Sequence, residues 1–278
     1  MRSMEFFKLR RVSNLGEGLA LIEIDLSGRT ILITGALGAI AEHIVRRLTD
    51  AGAVLVLTDV HEEPDALRTI RSWNINPARF LYRQMDVTDP SAVDRVVQES
   101  VERFPSLDIV LGHAGGCGLH PFIETPQEEF DRIFKFNYLA QTYLARSVLK
   151  HWHSSHIAGH LIFTSSYVAR IPHTRIVAYA TAKAALEHLA KCLALEYAPD
   201  GIRVNAISPG NVAAGSSLKV FEEDLQYREF VERIAPLGRR NSPEAVADTF
   251  LFLCSPLARE ITGQVISVDL GVSIPKIG

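Results

Sequence analysis

A chain of 278 residues, 47% apolar and 22% charged, excludes a disordered polymer, a collagen-like repeat and a disulfide-stapled miniprotein. A formal net charge of −3 gives no overall electrostatic reason to expect nucleic acid or an anionic membrane as partner. Cys117, Cys192 and Cys254 stand far apart with no CxxC, which argues against a disulfide framework or a cysteine-rich zinc site and suits a reducing cytoplasm.

In chain order, the first 25 residues carry Arg2, Lys8, Arg10 and Arg11. The apolar run that follows, Gly18 to Ile22, stops at Glu23 and is too short for a secretory signal. This stretch reads as an N-terminal arm, either a flexible tail or a segment docked on a partner subunit. Nowhere does an apolar run approach the ~18 residues that cross a bilayer. Residues 26–278 read as one domain, with no repeat and no low-complexity linker. Strands are predicted over Thr30–Thr34, Val54–Thr58, Phe80–Met85, Ile109–Gly112, His160–Thr164, Arg203–Ile207 and Gln264–Val268. Most are too apolar to alternate, as strands covered on both faces should be. Helices are predicted over Ala39–Ala51, Glu63–Trp73, Pro90–Phe104, Pro126–His151, Val177–Tyr197 and Pro243–Leu253. Asp89-Pro90 and Ser242-Pro243 each pair a capping residue with a proline suited to the first turn. Alternating strands and helices with short links imply parallel strands and right-handed crossovers, hence an α/β doubly wound sheet.

The first strand enters Thr34-Gly35-Ala36-Leu37-Gly38-Ala39-Ile40-Ala41 and then a helix. A tight turn of small residues at a helix N-terminus lets backbone N–H groups and the positive helix end approach a pyrophosphate. Ordinary strand-to-helix turns look similar, so the second signal is Asp59, 24 residues after Gly35 at the end of the second strand. A carboxylate there can accept hydrogen bonds from both ribose hydroxyls of adenosine. It would repel a 2′-phosphate, and positions 36–38 and 60–61 offer no Lys or Arg to offset it, which argues for NAD over NADP. Asp86-Val87 follows the third strand, where Asp86 either reaches the adenine or caps the next turn.

Tyr179 and Lys183 are four residues apart in a helical stretch, so they share a face. A nearby ammonium is expected to favour phenolate and lower the tyrosine pKa, making a proton exchanger for an alcohol or carbonyl. A surface pair has the same spacing, but Ser166 ends the fifth strand 13 residues upstream, at the carboxyl edge where open α/β sheets bind ligands. Asn137 is a poor interior helix residue and implies either a local kink near Lys183 or a polar helix crossing. Four histidines, His151, His153, His156 and His160, share ten residues but no common face, so no metal site is expected. Cys117 and His120 follow the fourth strand, as substrate contacts or bystanders.

The glycine turn, Asp59, Asn137, Ser166, Tyr179-x-x-x-Lys183, Pro209-Gly210 after Asn205, and Ile261-Thr262-Gly263-Gln264 leading to Asp269 together resemble the short-chain dehydrogenase/reductase family over residues 26 to about 272. The resemblance implies a Rossmann fold with a seven-stranded parallel sheet in the order 3-2-1-4-5-6-7 and helices on both faces. It implies hydride transfer between NAD(H) and a secondary alcohol or ketone, for which a polyol, sugar or related small hydroxy compound is expected. It also implies a homotetramer or homodimer built through the two long helices. By the same resemblance Tyr179 is the acid/base, Ser166 orients the substrate oxygen, Lys183 binds the nicotinamide ribose, and Asn137 holds a proton relay. Cofactor contacts are implied at Gly35, Leu37, Gly38, Ala39, Ile40, Asp59, Asp86, Val87, Ala114, Gly115, Tyr179, Lys183, Pro209, Gly210 and Val212. Residues around 211–236, amphipathic from Ser216 to Pro236, become a substrate lid or a fixed surface helix.

The family turn T-G-x-x-x-G-x-G has Ala39 and Ala41 here in place of two glycines, and its Asn-Asn-Ala-Gly is Gly112-His113-Ala114-Gly115. Ala214 stands where the family often has a threonine, with Ser216 and Ser217 nearby. These departures motivate a rival reading, a non-catalytic nucleotide-binding regulator on the same fold.

Overall fold

Strands this apolar need cover on both faces, and the architecture supplies it. Residues 9–11 and 20–274 are described, in a computed structural model. Two short strands, β1 (Leu9–Arg11) and β2 (Ala20–Ile22), pair antiparallel within the segment expected as an arm. Residues 1–8 and 12–19 of that segment lie outside the described residues. Then come β3 (Thr30–Thr34), β4 (Val54–Asp59), β5 (Phe80–Gln84), β6 (Ile109–Gly112), β7 (His160–Thr164), β8 (Arg203–Pro209) and β9 (Val265–Val268). They form one parallel sheet in the order β5-β4-β3-β6-β7-β8-β9, which is 3-2-1-4-5-6-7 counted from β3. The order reverses beside β3 and β6, so a crevice opens at their carboxyl ends.

The helices are α1 (Ala39–Asp50), α2 (Glu63–Ser72), α3 (Pro90–Arg103), α4 (Gln127–Phe134), α5 (Ala140–Ser155), α6 (Val177–Glu196), α7 (Gly215–Glu223), α8 (Leu225–Ile234) and α9 (Pro243–Cys254). Ile31 and Ile33 of β3 pack with Ile44 and Leu48 of α1 and Phe250 of α9. Leu32, between them, packs on the opposite face with Val96 of α3, Val148 of α5 and Leu186 of α6. Each such fully buried side chain contributes roughly 1.5–3 kcal/mol. The expected caps are present: Asp89 accepts from Ser91 N at 2.9 Å, and Ser242 from Ala245 N at 3.2 Å. Among the described residues, no helix is long and apolar enough to cross a membrane.

Two expectations are corrected. The helix predicted over Pro126–His151 is divided: α4 and α5 are joined by one π-helical turn, Lys135–Leu139. Asn137 Nδ2 donates both to Ile133 O (2.9 Å) and to Gly116 O (2.7 Å), so a loop carbonyl outside the helix shares in the turn. The amphipathic stretch predicted over Ser216–Pro236 is two helices. Asp224 separates them and caps α8 by accepting from Tyr227 N at 3.0 Å.

Candidate active site

β3 delivers the chain into Gly35, whose φ is +65° and whose added Cβ would stand 2.8 Å from Ala114 Cα. Only glycine permits both that backbone conformation and that approach of the β3 and β6 ends. Gly38 then caps α1 without any side-chain cap bond, so the first-turn N–H groups, including those of Ala39 and Ile40, keep their capacity for an anion. The Ala39 methyl stands toward α7, 3.6 Å from where a Cβ on Gly215 would lie. Ala41 is fully buried on α1, so its methyl fills packing space.

Asp59 ends β4 with its carboxylate turned to the same place. Oδ2 accepts from Leu37 N at 3.1 Å, and Oδ1 accepts from Val60 N at 2.8 Å. His61 Nδ1 lies 2.6 Å from Oδ1. That imidazole is a neighbour the sequence does not mark, since positions 60–61 carry no Lys or Arg. Asp86 uses Oδ1 to accept from Thr88 N at 2.8 Å, the turn-capping role, while Val87 is buried beneath it.

Tyr179, Lys183 and Glu187 recur at four-residue spacing along α6 and line one face. Lys183 is 2% exposed, and its Nζ donates to Thr164 O at 2.8 Å and lies 5.6 Å from the centre of the Tyr179 ring. Burial pushes Lys183 down to about 8. Tyr179 departs from expectation: it is raised to about 12, chiefly by burial, with the hydrogen bond to Ser166 opposing the rise. Removal of the hydroxyl from water outweighs the ammonium one helical turn away. Ser166 is 8% exposed at the end of β7. Its neighbour Ser165 donates to Glu187 Oε1 at 2.8 Å, and Glu187 pairs with Arg170 at 3.1 Å, so α6 grips the serine segment at both ends. Gly115 completes the cradle, since a Cβ there would lie 2.8 Å from Asn137 Oδ1 and 3.0 Å from Lys183 Nζ. The π turn therefore sets Asn137 beside Lys183, the kink reading of that residue.

The β6 end lacks the family amides, yet it is firmly held. The Thr34 hydroxyl accepts from His113 N (3.0 Å) and Ala114 N (3.1 Å). His113 Nδ1 is hydrogen-bonded to the Thr164 hydroxyl at 2.9 Å, and its ring meets Phe250 edge-on. Burial, with Lys183 adding to it, pushes the imidazole down to about 4, so it is neutral. Gln141 Nε2 reaches over from α5 to donate to Ala114 O at 2.8 Å.

After β8, Gly210 is hemmed in, with an added Cβ 2.7 Å from Asn241 Oδ1 and 2.8 Å from Asp269 Cα. Pro209 pairs with Val268, and Val212 is 6% exposed and bridges to Asn241. Arg240, unforeseen from sequence, joins this loop to the helical pair: Nε donates to Asn211 Oδ1 at 2.7 Å and Nη2 to Ser217 Oγ at 2.9 Å. Asn211 in turn donates to the Tyr227 hydroxyl of α8. Ser217 spends its proton on Val212 O and Ala214 O, while the Ser216 side chain lies outside the described residues. Cys117 follows the Gly115-Gly116 turn after β6, and burial pushes its thiol up to about 11, so it is a neutral thiol. The His120 N–H donates to Arg175 O, tying the β6–α4 loop to the segment before α6. The clustered histidines disperse: His153 pairs with Asp200, His156 ends α5 in the left-handed region, and His160 Nε2 accepts from Asn205 Nδ2 inside the sheet. A cavity of about 340 Å³ lined by Arg29, Asp108, His160, Arg203 and Cys254 lies at the opposite, amino edge of the sheet, away from all candidate residues.

An uncapped helix start, two glycine cradles that a Cβ would fill, and a carboxylate at the β4 end fit a nicotinamide dinucleotide. A family model described as enoyl-(acyl carrier protein) reductase matches residues 35–273. A versicolorin reductase of Emericella nidulans is 32% identical over 256 residues, 88% of this chain and 96% of that protein. An NAD-dependent glycerol dehydrogenase of Listeria innocua is 30% identical over 252 residues, 91% of this chain and 96% of that protein. Among solved structures, a 3-ketoacyl-(acyl-carrier-protein) reductase from Brucella melitensis complexed with NADH superposes with a TM-score of 0.80. It is 28% identical and covers 90% of this chain and all of its own.

Proposed function

The chain belongs to the short-chain dehydrogenase/reductase family and is an oxidoreductase of that family, and on that premise we propose that it interconverts a secondary alcohol and a ketone with NAD(H). A polyol, sugar or related small hydroxy compound is the proposed substrate. The observation that carries the reading is the grouping of Ser166, Tyr179 and Lys183 at the carboxyl edge of the sheet: Tyr179 is hydrogen-bonded to Ser166, its ring lies 5.6 Å from Lys183 Nζ, and Lys183 in turn abuts the Gly115 cradle.

A bound nicotinamide dinucleotide supplies the hydride acceptor for oxidation and the hydride donor for reduction. The Ser166 hydroxyl orients the substrate oxygen. Tyr179 exchanges the proton at Oη: as phenol it gives it to a carbonyl oxygen, and as phenolate it takes it from an alcohol. Burial that lifts the phenol to about 12 suits the donating direction, and the Ser166 hydrogen bond moderates it. Lys183 spends one N–H on Thr164 O and keeps two for ribose hydroxyls. Asn137 holds the π turn that opens the relay beside Lys183. Asp59 accepts from the adenosine ribose and repels a 2′-phosphate, which supports NAD over NADP. Three unpaired cysteines support a cytoplasmic setting. The outer face of α6, with Thr181, Ala184 and His188 exposed and Leu195 82% exposed, supports assembly as a homodimer or homotetramer. The α7–α8 pair, joined to the site through Arg240 and Asn211, is the proposed substrate lid.

Titration with NADH and with NADPH, followed by nicotinamide fluorescence, tests the cofactor. The Tyr179→Phe protein should bind as the native chain does and lose 10²–10⁴-fold in turnover, the usual worth of a positioned acid/base. Undiminished turnover would overturn the mechanism, and binding of neither dinucleotide would favour the regulator.

A further inference from the structure

Gly112 ends β6 directly before the turn that frames the Gly115 cradle, and it has no side chain with which to brace that turn. Its space is taken from outside. A Cβ on Gly112 would stand 2.3 Å from Gln141 Oε1 and 2.8 Å from Phe163 Cδ1, so the glutamine amide occupies the position a side chain at 112 would need. Gln141 lies in the first turn of α5 and is 1% exposed. A long polar side chain buried so completely must be justified by its partners. It has one: Nε2 donates to Ala114 O at 2.8 Å, while Oε1 is buried with no partner among the described residues. An amide that leaves half its capacity unmet yet stays in a core of Leu144, Val148 and Phe163 is held there by that single bond.

The bond falls at a decisive place. Ala114 is gripped at N by the Thr34 hydroxyl and at O by Gln141, and two residues on, Gly116 is gripped at both N and O by Asn137. Between these grips lies Gly115, with no room for a Cβ against Asn137 and Lys183. We infer that Gln141 is a positioning residue for dinucleotide binding: from helix α5 it supplies the amide that Gly112 cannot, and so fixes the Ala114-Gly115 floor against Lys183. Without that N–H the buried Ala114 carbonyl is unpartnered, the turn relaxes to satisfy it, and a dinucleotide must restore the turn as it binds. The inference rests on the dinucleotide reading above.

The test uses the full chain and NADH affinity from fluorescence titration between about pH 5.5 and 8. Gln141→Met keeps the bulk and removes the donor, and should weaken NADH about ten-fold at every pH. Gln141→Glu offers an O–H to Ala114 O only when protonated, and burial holds a carboxyl in that form to higher pH than in water. Its affinity should approach the native value at low pH and fall as pH rises, beyond any change the native chain shows. A space-filling role alone would leave the Met protein native-like, or give the Met and Glu proteins the same pH-independent loss, and either result overturns the inference. If Gln141→Met does not fold, the pH profile of the Glu protein decides alone. A native chain that binds neither NADH nor NADPH overturns the dinucleotide reading and this inference with it. Native binding with unaffected variants overturns only the role of Gln141.

Discussion

His113 stands where its family has an asparagine amide, and the exchange has a measurable cost in acid. In the folded chain burial pushes its imidazole down to about 4, with Lys183 repelling the charged form further, whereas an unfolded histidine titrates near 6.5. Between those values the unfolded chain binds a proton that the folded chain refuses. Stability is therefore fully present above about pH 6.5, falls as the pH drops towards 4, and is flat below. The displacement corresponds to about 3 kcal/mol at most, since each pH unit is worth 1.36 kcal/mol. His113 retains slight exposure, which trims this to about 2–3 kcal/mol. Urea unfolding at a series of pH values, on the native chain and on His113→Asn, isolates the effect. His160 is also held well below its ordinary value by burial, but it is present in both proteins and cancels. Between about pH 7 and 4 the native chain should lose about 2–3 kcal/mol more than the variant. Parallel pH profiles would refute the reasoning, because they would mean that the imidazole protonates in place.

Asp59→Ala should narrow the gap between NADH and NADPH affinities. His61→Arg, which sets a permanent cation beside the same carboxylate, should narrow it about ten-fold by admitting the 2′-phosphate. Fluorescence titration reads both, and an unchanged gap in both variants would mean that this end of β4 does not read the ribose. Lys183, lowered by burial to about 8, carries its ammonium below that pH and loses it above. Dinucleotide affinity should therefore hold up to about pH 8 and decline beyond it, and Lys183→Met should bind weakly with that decline gone.

What was legible in the sequence divides along the range of the forces involved. Thr30–Thr34, Ile109–Gly112 and His160–Thr164 were read to the residue, because a strand covered on both faces has to be apolar throughout, whatever lies beyond it. The caps at Asp89 and Ser242 were read because a capping side chain meets an N–H only two or three residues away. Asn137 gave half its answer: its unsuitability for a helix interior announced a kink, but Gly116, twenty-one residues upstream, makes the π turn that divides the helix. The same limit hid Gln141, Arg240 and the Ser165–Glu187 contact, whose partners are 27, 29 and 22 residues distant along the chain. Nothing in a local window distinguishes such a glutamine from a solvated one. His61, only two residues from Asp59, lies within local range, but an imidazole is not a permanent cation and so is not marked by charge in the sequence. Tyr179 marks a different limit. Spacing placed Lys183 beside it correctly, yet spacing carries no dielectric, and the loss of water around the hydroxyl outweighs the neighbouring charge. Proximity to a lysine therefore does not by itself make a tyrosine acidic. Burial holds this phenol protonated, and only the Ser166 hydrogen bond draws its pKa back down, so any role as a base would have to work against burial.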